Sequence, residues 1–308
     1  MKAIVYKSTG SWYSLKDEAG KFWNGRMKGV MKLDDITSTN PVAVGDWVHA
    51  EIENEGDSTV TINEILDRNN YINRQSPRHK HQHHIVAANL DQSILVATLK
   101  EPKTSQGFID RFLVASEMYH VPAIIVFNKS DLYKAKELDK YEQWKDMYEA
   151  IGYKVLLVSA EKNEGMDELM KVLKDKTTLV SGHSGVGKSS LLNVIFPNMN
   201  RKTQDVSGWS GKGQHTTTFA EMFDLPFGGK IIDTPGMREF GLVDISKAEL
   251  SHYFPEMRDR LNGCQFNNCL HVNEPGCAIK EAVINKEIHE DRYVSYAGIL
   301  DSIEEKNY

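Results

Sequence analysis

Apolar and polar positions divide this chain into stretches of different period. Up to about residue 70 the apolar residues come in short runs: Ala3-Ile4-Val5-Tyr6, Ser11-Trp12-Tyr13-Ser14-Leu15, residues 22–31, Asp46-Trp47-Val48-His49-Ala50-Glu51-Ile52 and Thr59-Val60-Thr61-Ile62. Thr9-Gly10, Ala19-Gly20 and Asn54-Glu55-Gly56-Asp57 supply turns between them. So many short strands in residues 1–70 predict a small barrel, and an OB-fold fits that spacing. Trp12, Tyr13, Phe22, Trp23 and Arg26 are candidates for an oligonucleotide-binding face. Equally, the aromatic residues among them fill the barrel core. Residues 71–84 read as a basic linker: Arg74, Arg78 and Lys80 occur with no acidic residue, beside His79, His81, His83 and His84. A solvated tract that touches phosphates fits this composition better than a metal site, because no thiol or carboxylate lies nearby.

From residue 85 to 244 buried strands alternate with helical stretches, the pattern of an α/β domain. Ser93-Ile94-Leu95-Val96-Ala97 is a predicted strand, 108–119 a helix, and Pro122-Ala123-Ile124-Ile125-Val126-Phe127 a second strand. Beyond it 138–151 is a helix, Lys154-Val155-Leu156-Leu157-Val158 a strand, and 165–169 opens another helix. Residues 245–308 carry apolar residues at helical spacing over 246–254 and 278–306, which predicts a mostly helical C-terminal domain.

Chemistry sits at the ends of these strands. Gly182-His183-Ser184-Gly185-Val186-Gly187-Lys188-Ser189 follows Thr178-Leu179-Val180 and precedes a helical run from Ser190 that Pro197 ends. This is G-x-x-x-x-G-K-S in its strand–loop–helix context, a phosphate-binding loop running from Gly182 to Ser190. Its N–H groups and helix dipole face an anion, Lys188 reaches the outer phosphates, and the Ser189 hydroxyl suits Mg²⁺. Asn128-Lys129-Ser130-Asp131 is N-K-x-D at the carboxyl end of a strand. The Asp131 carboxylate there accepts from guanine N1–H and N2–H₂, a donor pair adenine lacks. Asn128 can bond acceptors of the base, and the Lys129 stem can lie over the ring. Ser159-Ala160 ends a strand where backbone N–H groups can meet the base oxygen. Asp233-Thr234-Pro235-Gly236 is D-x-x-G: Asp233 holds Mg²⁺ through a water, and the Gly236 N–H meets a γ-phosphate. Between these motifs lies a polar, glycine-rich stretch ending Gln214-His215-Thr216-Thr217-Thr218. One threonine of the three completes the Mg²⁺ shell, and Thr217 is the candidate. Ordinary small GTPases carry a glutamine after D-x-x-G. Here Met237 stands there and cannot orient a water, so His215 is the candidate catalytic residue beside Lys188.

Composition narrows the class. The net charge of −6 gives no general affinity for nucleic acid, so an RNA surface has to be local. The N-terminus shows no secretory pattern and no apolar run is long enough to span a bilayer, which points to an intracellular, cytoplasmic protein. All 3 cysteines cluster near the C-terminus as Cys264-x₄-Cys269-x-His271-x₅-Cys277, a ligand set for one structural Zn²⁺ rather than disulfides.

The motif order is unusual, because N-K-S-D and Ser159-Ala160 precede the phosphate loop. An OB-like barrel, a permuted GTPase and a Cys₃His module together resemble the small-ribosomal-subunit biogenesis GTPase A family, RsgA. Asn89-Leu90-Asp91-Gln92, Gly213-Gln214-His215-Thr216-Thr217-Thr218 and 269–277 carry the resemblance further. Gln214 departs from it, standing where a basic residue is expected. The resemblance implies a multidomain α/β chain: an N-terminal OB-fold β-barrel (1–70), a circularly permuted P-loop GTPase domain (85–244) and a C-terminal mostly helical zinc-binding domain (245–308). It implies a monomeric cytoplasmic enzyme that hydrolyses GTP to GDP and phosphate. The small (30S) ribosomal subunit with its 16S rRNA would be its partner and stimulator, late in that subunit's assembly. Two other readings stay open at this stage. One is a P-loop ATPase or kinase, against which Asn128 and Asp131 argue. The other is an RNA-binding assembly factor using GTP as a passive switch, which Met237 keeps open.

Overall fold

The computed structural model describes residues 1–28, 41–75, 83–197, 220–234 and 245–303. Strands β1 (Lys2–Ser8), β2 (Tyr13–Asp17), β3 (Phe22–Met27), β4 (Trp47–Asn54) and β5 (Thr59–Ile65) form the N-terminal barrel. Their order is β1-β2-β3-β5-β4, and β1 also pairs with β4, so the barrel closes on itself. The parallel pairing of β3 with β5 and this order are those of the expected OB-fold. Alternate residues turn inward: Val5, Tyr13, Leu15, Trp23, Val48, Ala50, Val60 and Ile62 make its core. The aromatic residues therefore divide. Tyr13 and Trp23 are core, whereas Trp12 and Phe22 stand about half exposed, at 51% and 50%. Arg26 lies on the surface, paired with Glu53.

The stretch read as a basic linker carries strand at both ends. β6 (Tyr71–Gln75) pairs antiparallel with β7 (His83–Ala88), and the residues between, including Arg78, His79, Lys80 and His81, lie outside those described. Asn89-Leu90-Asp91-Gln92 then acts as a hub. The Asn89 side chain donates to Gly45 O in the barrel and accepts from Asn69 N. Asp91 accepts from Thr177 N at 2.7 Å, and Gln92 donates to Thr178 Oγ1 and Val172 O.

The central sheet holds β8 (Gln92–Ala97), β9 (Ala123–Phe127), β10 (Lys154–Leu157), β11 (Thr177–Ser181), β12 (Glu221–Asp224) and β13 (Lys230–Asp233). Its order is β10-β9-β8-β11-β13-β12, with every pair parallel except β12–β13. Runs such as Ile94-Leu95-Val96-Ala97 are buried on both sides, as parallel strands between helices require. Helices α1 (Gln106–Met118) and α2 (Ala135–Ile151) cover one face; α3 (Met166–Leu173) and α4 (Lys188–Ile195) cover the other. Counting from β11 instead of β8 turns the order into 2-3-1-4-5-6. The permutation is thus a change of chain ends, joined through residues 174–176, where Asp175 takes a left-handed φ of 57°. The sheet continues into the barrel because β12 pairs with β1. Tyr6 Oη donates to Asp224 at 2.6 Å, and Lys7 and Lys16 pair with Glu221 and Asp224.

The C-terminal region is less continuously helical than its apolar spacing predicts. Over 246–254 it forms a short 3-10 turn, Leu250–Tyr253, and Pro255 then opens a single helical turn. The predicted 278–306 helix is two, α5 (Ala278–Ile284) and α6 (Glu290–Ser302). Lys286, at φ 62°, lies in the break between them. Leu250, Phe254, Met257, Ile279, Tyr296, Ile299 and Leu300 pack with Val114 of α1, so this region shares a core with the α/β domain. A fully buried charge crosses the seam. The Arg292 guanidinium donates to Asp110 Oδ1 at 2.5 Å and to Glu256 at 2.6 Å, over the Phe254 ring. Tyr148 Oη also donates to Asp110 at 2.8 Å. A buried charge is tolerable only with such partners.

Candidate functional site

Strand ends at one edge of the sheet bring the predicted residues together. β11 delivers the chain at Ser181 to the phosphate loop, and α4 begins at Lys188. Gly187 has φ +93°, and a Cβ there would collide with the Asn128 amide. Gly182, at φ +146°, lies as tightly against Val96 O. These two positions need glycine because the loop passes directly over β8 and the end of β9. Lys188 Nζ donates to Gly182 O at 2.6 Å and His183 O at 2.9 Å, curling across the mouth of the loop. The His183 ring faces outward from the loop and stacks on Phe108 of α1, with centroids 3.7 Å apart. Ser184 and Gly185 form the exposed crest, Val186 is buried in the core beneath it, and Ser189 and Ser190 lie in the first turn of α4.

The N-K-S-D segment meets this loop directly. Asn128 is buried at the end of β9; its amide donates to Val186 O at 2.9 Å and its carbonyl oxygen accepts from Ala160 N at 3.2 Å. One side chain therefore joins the phosphate loop, the N-K-S-D loop and the Ser159-Ala160 turn. Lys129 takes the left-handed region at φ 65° and donates to Glu101 O at 2.6 Å. Ser159 Oγ donates to Asp131 Oδ1 at 2.5 Å and itself accepts from Lys162 N. The sequence reading gave Ser159 only a backbone role. Its hydroxyl fixes the direction of the Asp131 carboxylate, a role no spacing reveals.

Asp233 ends β13 close to Lys188. Burial pushes the Lys188 ammonium down, opposed by Asp233, and pushes the Asp233 carboxyl up, opposed by Lys188. Each charge thus lies in a desolvated spot that its neighbour only partly offsets. Phosphate oxygens at Lys188 and a hard cation between Ser189 and Asp233 would supply the missing counter-charge. Thr234 Oγ1 donates to Val180 O and anchors the start of D-x-x-G. Gly236, Met237, His215 and Thr216-Thr217-Thr218 lie outside the described residues, as do Arg201, Lys202 and Lys212.

In the C-terminal region Cys264, Cys269, His271 and Cys277 converge, their ligand atoms all within 4.8 Å of one another. His271 Nδ1 is 3.5 Å from Cys264 Sγ and 3.4 Å from Cys277 Sγ. Tetrahedral Zn–S and Zn–N bonds set that edge at about 3.5 Å, so the donor set fits one zinc ion. Cys277 also caps α5, accepting from Lys280 N. Around the cluster the Glu274 carboxylate accepts from Leu270, Val272 and Asn273 N–H groups. Tyr293 and Tyr296 donate to His271 O and Leu270 O. The loop is therefore framed before any ion is considered.

A family model described as RsgA GTPase matches residues 65–243, and one described as RsgA N-terminal domain matches 2–60. The chain belongs to the RsgA GTPase family. It is a GTPase. A relative from Cytophaga hutchinsonii, named small ribosomal subunit biogenesis GTPase RsgA, is 52% identical over 97% of this chain and 98% of its own. One of the same name from Flavobacterium psychrophilum is 49% identical over 99% and 94%. Among solved structures, YjeQ from Thermotoga maritima superposes with a TM-score of 0.80 at 34% identity, covering 99% of both chains. YloQ, described as a circularly permuted GTPase, gives 0.75 at 30% identity, covering 100% of this chain and 96% of that one. The family's permuted architecture is the one derived above from strand order.

Proposed function

We propose that this chain hydrolyses GTP to GDP and phosphate on the small (30S) ribosomal subunit, late in that subunit's assembly, and is stimulated by it. The observation that carries this reading is near-complete, end-to-end similarity to relatives named for small-subunit biogenesis. Local chemistry supports it. Trp12 and Phe22 are exposed on the barrel, and Lys16 Nζ lies 5.6 Å from the Phe22 ring. Exposed aromatic rings suit stacked, unpaired bases, so 16S rRNA is the partner proposed for this face. The net charge of −6 is no obstacle, because such contacts need only local patches. No helix among the described residues is long and apolar enough to cross a membrane. A monomer working in the cytoplasm is the form proposed.

In the proposed mechanism Asp131 selects guanine, held in direction by Ser159, while Asn128 ties the base site to the phosphate site. Lys188 and the N–H groups of the loop neutralise charge developing on the phosphates. Mg²⁺ would be held by Ser189, by Asp233 through a water and by Thr217, and would supply positive charge against the phosphates. His215 would orient the attacking water, the task Met237 cannot perform. Replacing His215 by alanine should lower subunit-stimulated turnover by roughly 10²-fold or more while leaving subunit binding with a GTP analogue intact. Unchanged stimulated turnover would remove His215 from the mechanism. The cluster of Cys264, Cys269, His271 and Cys277 would hold one structural zinc.

A further inference from the structure

Tyr133 lies outside every motif, yet it closes the loop that carries N-K-S-D. Its backbone N–H donates to Ser130 O at 3.0 Å, ending the single 3-10 turn Ser130–Leu132. Its side chain then folds back under the loop. The phenol oxygen donates to Asn128 O at 2.8 Å and accepts from Leu99 N at 2.9 Å. Both bonds are buried, and the residue is only 8% exposed. One hydroxyl thus brackets the loop from its last residue to its first and ties it to the chain leaving β8. Lys129 Nζ reaches Glu101 O in that same segment, so the loop is fastened to residues 99–101 at two points.

We propose that Tyr133 is a positioning residue for guanine recognition. It pins the backbone of Asn128, whose side chain joins the phosphate loop to the Ser159-Ala160 turn, and so fixes where Asp131 presents its carboxylate. This rests on reading Asp131 as the guanine selector. Lys129 sits in the left-handed region, an uncommon conformation for a lysine that contacts on both sides stabilise here. The Tyr133 hydroxyl on one side and the Glu101 carbonyl on the other are those contacts. Burial, foremost, pushes the Tyr133 phenol up to about 12, so it remains a neutral donor at any working pH.

Without the hydroxyl, Asn128 O loses its donor and Leu99 N its acceptor, both in a dry site. The test is the affinity of the full-length chain for GDP, IDP and ADP, for wild type, Tyr133→Phe and Tyr148→Phe. IDP lacks the 2-amino group, so the ratio of its affinity to that of GDP reports how well Asp131 is aimed. Tyr148→Phe removes an equally buried hydroxyl bond, to Asp110, far from the base loop. Tyr133→Phe should weaken GDP binding roughly tenfold and shrink the GDP-over-IDP preference by several-fold. Tyr148→Phe should lower the melting temperature but leave that preference unchanged. If Tyr133→Phe lowers stability while its GDP-over-IDP ratio stays that of wild type, Tyr133 is structural and the proposal is overturned. A wild-type chain with no preference for GDP over IDP or ADP would instead overturn the reading of Asp131 itself.

Discussion

Replacing Asp131 by asparagine should cut affinity for GTP and GDP by roughly 10⁴-fold and transfer preference to xanthosine nucleotides. The size follows from what a site built to hydrogen-bond its ligand does to one that mismatches it, since the bound base covers the Asp131 carboxylate that is exposed in the free chain. In the wild type the carboxylate is acceptor-only and matches the N1–H and N2–H₂ donors of guanine. Ser159 Oγ donates to Asp131 Oδ1, and in the variant it would hold the amide oxygen in the same place. The amide NH₂ would then face the guanine 2-amino group, donor against donor. Xanthine carries a carbonyl oxygen at that position and accepts. Equilibrium titration with labelled GDP and XDP checks this. Loss of both nucleotides without any gain for XDP would mean that Asp131 shapes the loop rather than reading the base. The same titration with ATP separates this account from a P-loop ATPase, for which the variant should bind ATP as the wild type does.

Zinc removal is expected to have the second large effect. The purified chain should carry one zinc per molecule, and Cys264→Ser or a strong chelator should abolish it. Structural zinc contributes on the order of 10–16 kcal/mol of apparent binding energy in small zinc modules, all of it linked to folding. Here the loss should be local. The loop 264–277 holds all four ligands, the last of which, Cys277, caps α5, so those residues and the first turn of α5 should lose hydrogen-exchange protection. Cys269 and Cys277 share a core with the α1–α6 seam, but the seam is also held by Val114, Phe254 and Ile299 and by the Arg292–Asp110 pair, none of them in the zinc loop. GDP binding should therefore survive. A zinc-free protein with unchanged exchange over 264–277 would contradict a structural ion.

The parts of this fold that were visible in the sequence are those where one short segment carries its own meaning. G-x-x-x-x-G-K-S, N-K-x-D and D-x-x-G each mark a strand end, and their order alone announced the permutation. The cysteine spacing worked in the same way. What stayed hidden depends on partners far along the chain. Arg292 and Asp110 are separated by 182 positions, and neither a buried aspartate on α1 nor an arginine on α6 has a local signature. Phe108 was readable as core-facing from helical spacing, but not as the ring beneath His183. The barrel aromatics were undecided because neighbours in a strand point to opposite faces, so register has to be known before Tyr13 and Trp23 separate from Trp12 and Phe22. Over 246–254 apolar spacing suggested a longer helix, yet Pro255 limits what precedes it to a 3-10 turn.

The most direct test of the central claim is GTP turnover by the purified chain alone, with small ribosomal subunits, and with large subunits. The free chain should be slow, because no glutamine follows D-x-x-G. Small subunits alone should accelerate it by roughly 10²-fold or more, within the range that completing a GTPase site supplies. Tight GTP binding with no acceleration by small subunits, or equal acceleration by both, would contradict the account and leave a nucleotide switch whose partner lies elsewhere.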